Sequence, residues 1–98
     1  MSALNVIKQV KKEMDVYDST DNNFGSVLYV YAPDNELIEE MLPASLSDID
    51  HNAFVSDGFI RIGNPIFSGA SFARATEIDR VEGDRVYLTI KQNEVIRE

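Results

Sequence analysis

The sequence predicts a single, mainly β domain carrying one or two short helices. Residues 15–31, DVYDSTDNNFGSVLYVY, read as strand, polar turn, strand. Residues 79–90, DRVEGDRVYLTI, read as a second hairpin with Gly83 at its tip. Between them lie short runs rich in β-branched and aromatic residues, separated by Gly, Pro and Asn, which is how sheet proteins are punctuated. Ninety-eight residues, 44% of them hydrophobic, suit one globular domain with a real core.

The chain opens with Leu4, Ile7 and Val10 three apart, on one side of a short helix. That segment can close one end of the sheet structure or reach a second subunit. Met14 and Val16 then alternate with Asp15 and Tyr17, the period of a half-buried strand. Residues 19–23 are all turn formers, whose short polar side chains bond their own backbone. The strand that follows, residues 24–31, is apolar in both registers over 27–31, so it is expected to be covered on both faces. Gly25 inside it marks a bulge or a close backbone approach.

Pro33 breaks the sheet. Asp34 or Asn35 can cap a helix over Glu36, Leu37, Ile38, Met41 and Leu42, which Pro43 stops. Residues 44–57 read as irregular, and 32–57 form a long acidic insertion, the kind of connection where function or oligomer contacts sit. A strand follows at 59–62, then a turn at Gly63, Asn64 and Pro65, a brief extended piece at Ile66 and Phe67, and a strand over 70–75. Thr76, Glu77 and Ile78 reorient the chain. In the last hairpin Val86, Leu88 and Ile90 alternate with Arg85, Tyr87 and Thr89, so one face is core and the other is wet or meets a neighbour. Asn93 can cap a short terminal helix, with Val95 and Ile96 packing back.

Charge is distributed unevenly. The net charge is -8, and no Lys or Arg stands between Lys12 and Arg61, an interval holding eleven acids. Phosphate neutralisation needs cations, so direct nucleic-acid binding is not expected. An acidic surface aids solubility, and it can also steer in a basic protein partner. There is no cysteine, hence no disulfide, thiol nucleophile or thiolate metal site. No apolar run is long enough to span a bilayer and no signal peptide is evident, so a soluble cytoplasmic protein is expected.

Candidate chemistry is sparse. His51 is the only histidine, so any Ser-His-Asp arrangement would have to run through it. Asp48-x-Asp50-x-Asn52 has the opening spacing of a calcium loop, but Ala53 and Phe59 stand where Gly and Glu belong; Asp18-x-Thr20-x-Asn22 fails in the same way at Asn23 and Tyr29. The five glycines are isolated, which excludes a phosphate-cradling loop. No catalytic residue, metal or cofactor is expected.

Two blocks carry a family resemblance. MDVYDSTDNNFGSVLYV (residues 14–30) resembles the opening hairpin of PRC-barrel domains, with its D-x-x-G-x-V type signature. Gly25 and Val27 match it, and Asn22 stands in place of the Asp. FARATEIDRVEGDRVYLTI (residues 72–90) resembles the closing V-x-G-D-x-V-x-L block at Val81, Gly83, Asp84, Val86 and Leu88. The likeness covers about half the chain and is nearest to small stand-alone bacterial members. It implies a small, bent, mostly antiparallel PRC-barrel-like β-barrel with no catalytic motif. Relatives include the cytoplasmic domain of the photosynthetic reaction-centre H subunit and the second domain of a ribosome-maturation factor, which is similar to a docking module for a basic ribosomal protein. The 34–57 stretch is longer and more acidic than the family connection.

The expected function is therefore non-enzymatic protein binding, as an adaptor and a homo-oligomer. The candidate partner-binding residues are Glu36, Leu37, Glu39, Glu40 and Met41, an acidic and apolar helix face. Ribosome-maturation-type docking and a small ligand-binding barrel are the alternatives.

Overall fold

Turn chemistry at residues 18–22 folds the first hairpin, and the rest of the sheet is built on it. The computed structural model describes residues 6–33, 42, 48–63 and 69–97. Among these, seven strands run β1 (Asp15–Tyr17), β2 (Asn23–Tyr31), β3 (Phe59–Gly63), β4 (Ala70–Arg74), β5 (Ile78–Glu82), β6 (Arg85–Leu88) and β7 (Ile96–Arg97). One helix, α1 (Asp48–Asp57), precedes β3. The fold is mainly β. All strands belong to one sheet in the order β5-β6-β1-β2-β3-β4-β7. It is not closed into a continuous barrel, because β5 and β7 remain as its two edges. Pairing is antiparallel except between β1 and β6, which run parallel with Val16 opposite Val86.

The sheet nevertheless wraps. Val16, Val27, Ile60, Ile62, Ala73, Ile78, Val86 and Leu88 share one core, so strands from β5 to β4 enclose the same apolar mass. Val6, Ile7, Val10 and Met14 close it; of the three apolar positions spaced three apart, Ile7 and Val10 are buried there and Leu4 lies outside the described residues. Fully burying one such side chain contributes about 1.5–3 kcal/mol. The opposite face of β2, β3 and β4 carries a second, aromatic core of Tyr31, Phe54, Phe59 and Phe72, with Ala70 and Leu42. The Phe54 ring, brought by α1, lies 5.2 Å from Phe59 and 6.4 Å from Phe72.

A bulge lets β2 serve both cores. Its partners step from Val27↔Ile62 to Tyr29↔Arg61, leaving Leu28 as the extra residue. Val27 therefore enters the first core and Tyr31 the second, covering both registers as expected. Gly25 is the close approach: at φ +154° its added Cβ would run into the Gly63 carbonyl and lie 2.9 Å from Ile62 Cγ2. Gly58, at φ +87°, ends α1; its N–H donates to the Phe54 carbonyl at 2.9 Å.

Three local expectations change. Residues 48–57, read as irregular, form α1. Among residues 49–57 only Phe54 is fully buried, so no apolar stripe at helical spacing announces the helix. β6 ends at Leu88 because Thr89 turns its N–H to the Glu77 carbonyl and Ile90 accepts from Ser19. The expected terminal helix is a single 3₁₀ turn (Gln92–Glu94) in which Glu94 Oε1, not Asn93, receives the Lys91 N–H at 2.9 Å. Among the described residues, no helix is long and apolar enough to cross a membrane.

Candidate binding surface

Strict alternation in β6 sends Val86 and Leu88 into the core and leaves Arg85 and Tyr87 on the outer face. The parallel register sets Tyr17 beside Tyr87 and Asp15 beside Arg85. The two tyrosine rings stack, with centroids 5.3 Å apart and planes 21° from parallel. Arg80 of β5 lies over Tyr87, its Cζ 4.0 Å from the ring centroid, and Arg85 lies 5.3 Å from the Tyr17 centroid. Guanidinium over a phenol ring is an electrostatic attraction to the ring face. Arg80 Nη1 also donates to Asp79 Oδ2 at 2.7 Å, and Nε to Glu82 Oε1 at 3.0 Å. The Asp79 hydrogen bond, against some desolvation and with help from Glu82, pushes the Arg80 pKa up. The outcome is a flat patch of aromatic area and fixed cations, with Asp15, Asp79 and Glu82 around it.

A second feature begins at Asp18, immediately after β1 ends at Tyr17. Among the described residues Asp18 is the one polar residue in the buried set, at 4% exposure. Its Oδ1 accepts from the Thr20 hydroxyl (2.7 Å), the Thr20 N–H (2.9 Å) and the Asn22 N–H (3.0 Å), and its Oδ2 from the Gln92 N–H (3.1 Å). Burial raises its pKa, but these donors, Thr20 first, outweigh burial and hold it below the ordinary carboxylate value. Asp18-x-Thr20-x-Asn22 is thus a turn clasp tied to the C-terminal segment. Beside it opens a cavity of about 400 Å³ lined by Asp18, Thr20, Lys91, Gln92, Asn93 and Arg97. Another, of about 390 Å³, lies between Lys11, Lys12, Glu13, Met14, Asp15 and Asp84.

The residues singled out from the sequence are scattered. Glu36, Leu37, Glu39, Glu40 and Met41 lie outside the described residues. His51 is half-buried on α1 and lines neither of these cavities. Among the described residues no group of three or more His, Cys, Asp or Glu is placed to hold a metal ion. The Tyr17, Arg80, Arg85 and Tyr87 cluster was not foreseen as a unit, because it depends on β1 meeting β6. Its signal in the sequence is an aromatic residue on the polar register of each of two alternating strands, Tyr17 and Tyr87.

Comparison with protein-family models, curated proteins and solved structures finds no match to this chain.

Proposed function

We propose that this chain is a non-catalytic protein-binding domain that associates with a second copy of itself. The outer face of β5, β6 and β1 carries the reading. Tyr17 and Tyr87 stack there, belong to neither core, and are held rigid by Arg80 and Arg85. Tyrosine and arginine dominate the energetic centres of protein interfaces, since they offer large contact area with few rotors to freeze. The test is sedimentation velocity over a wide concentration range, with wild type beside Tyr87→Ser. Wild type is expected to shift toward dimer with concentration and the variant to shift less. A wild type that sediments as monomer throughout removes the reading.

The runner-up is an adaptor for a basic protein. It draws on the absence of Lys and Arg between Lys12 and Arg61, and on exposed Ile49 and Asp50 at the start of α1. The likeness to PRC-barrel domains points to a ribosomal protein as that partner. Its two blocks form the β1–β2 hairpin and the run from β4 to β6. Capture of basic ribosomal proteins that survives RNase and is released by salt supports this reading, whereas salt-insensitive capture counts against it.

A further inference from the structure

Resting on the self-association reading, we infer that two copies join by antiparallel pairing of their β5 edges about a two-fold axis at Val81. Backbone geometry sets the centre. β5 and β6 are joined through Gly83 and Asp84, with Gly83 at φ +57° and Glu82 paired to Arg85. A two-residue turn makes its flanking residues the hydrogen-bonded pair, so Glu82 and Arg80 bond inward to β6. The Val81 N–H and carbonyl then point to the outer side of β5, the edge of the sheet. A two-fold at Val81 lets these groups bond reciprocally with the same groups of the second copy.

Charge selects this register over its neighbours. With Val81 opposite itself, Arg80 of each copy faces Glu82 of the other, and both pairs join opposite charges. Sliding by one pleat in either direction centres the axis on Arg80 or on Glu82 and sets like charges face to face, which is destabilising. The same charged residues keep unrelated strands off this edge. The bulge between Ile78 and Arg80 limits the regular edge to the stretch where the match holds. Val81 is half-buried at the rim of the first core, so a second Val81 against it completes its burial. Joined this way, the two Tyr17–Tyr87 faces become one surface, and Tyr87 bears on the pairing through Arg80, whose guanidinium it holds beside the seam.

Charge reversal tests the register. Arg80→Glu and Glu82→Arg are made singly and together, and self-association is measured by sedimentation equilibrium at physiological ionic strength, with circular dichroism melts to show that each variant folds. Each single variant is expected to weaken association by roughly tenfold or more, since two symmetric pairs are reversed at once. The double variant is expected to restore it, because the swapped charges again face opposites. Val81→Pro removes the outward N–H without touching the ladder to β6, and is expected to abolish pairing. Single variants that associate like wild type, or a double variant no better than the singles, overturn the β5 register while leaving self-association through another surface intact. A monomeric wild type overturns both.

Discussion

Replacing Asp18 by Asn should expose how much of the fold depends on one carboxylate. Asn keeps the shape but loses the charge, and an amide nitrogen then faces one of the N–H groups that Asp18 now satisfies. Hydrogen bonds to a charged acceptor contribute about 1.5–3 kcal/mol each, but several on one group are not additive. With four donors converging on a side chain only 4% exposed, the expected loss is about 2–4 kcal/mol in total. For a domain of this size that corresponds to a fall in Tm of about 10–20 °C. The dependence on pH has a definite sign. The folded-state pKa of Asp18 lies below its ordinary value of 3.8, so the unfolded chain takes up the proton first as pH falls. The stabilisation is complete above the ordinary value and is lost as pH drops through the folded one. Thermal melts of wild type and Asp18→Asn should therefore differ most at neutral pH and converge in acid. The other carboxylates cancel in that difference. An Asn variant as stable as wild type at pH 7, or a gap that stays constant into acid, would refute the clasp.

Other outcomes follow from packing. Gly25→Ala should cost about 2 kcal/mol or more in chemical denaturation, because its Cβ meets the Gly63 carbonyl at a φ that L-residues avoid. Phe54→Ala should cost about 3–5 kcal/mol, since α1 holds the sheet through that ring. Ile49→Ser, at a side chain 81% exposed, should leave the denaturation midpoint within about 0.5 kcal/mol of wild type. It should weaken binding only if the basic-partner reading holds.

Strands were legible wherever burial alternated. Val16 announced itself by period, and Val86 with Leu88 did so against polar neighbours, whereas Val27 and Ile60 were legible from runs dense in β-branched and aromatic residues. Gly25 was legible as a close approach because a lone glycine in a strand has few other uses. What stayed hidden depended on distant partners. α1 is anchored by one phenylalanine, so its helix comes from what Phe54 finds on β3 and β4 rather than from its own pattern. Asp18 stood out only as the start of a calcium-loop spacing that fails; its role depends on Gln92, far away in sequence. The tyrosine and arginine surface likewise exists only because strands from the two ends of the chain lie side by side. The partner face expected at Glu36 to Met41 falls outside the described residues.

The β1–β6 pairing also has a consequence in time. Val16 and Val86 are partners although seventy residues separate them (86 − 16). Local hairpins such as β1–β2 and β5–β6 can close early, but the parallel seam must wait until both exist, and such distant pairings slow folding. During synthesis β1 therefore spends most of the chain's emergence as an edge, with Val16 lacking the β6 neighbour that later covers it. A nascent chain stopped before Ile78 has β2, β3 and β4 but cannot make the seam, so the emergence of β5 and β6, residues 78–88, decides when the sheet becomes a unit.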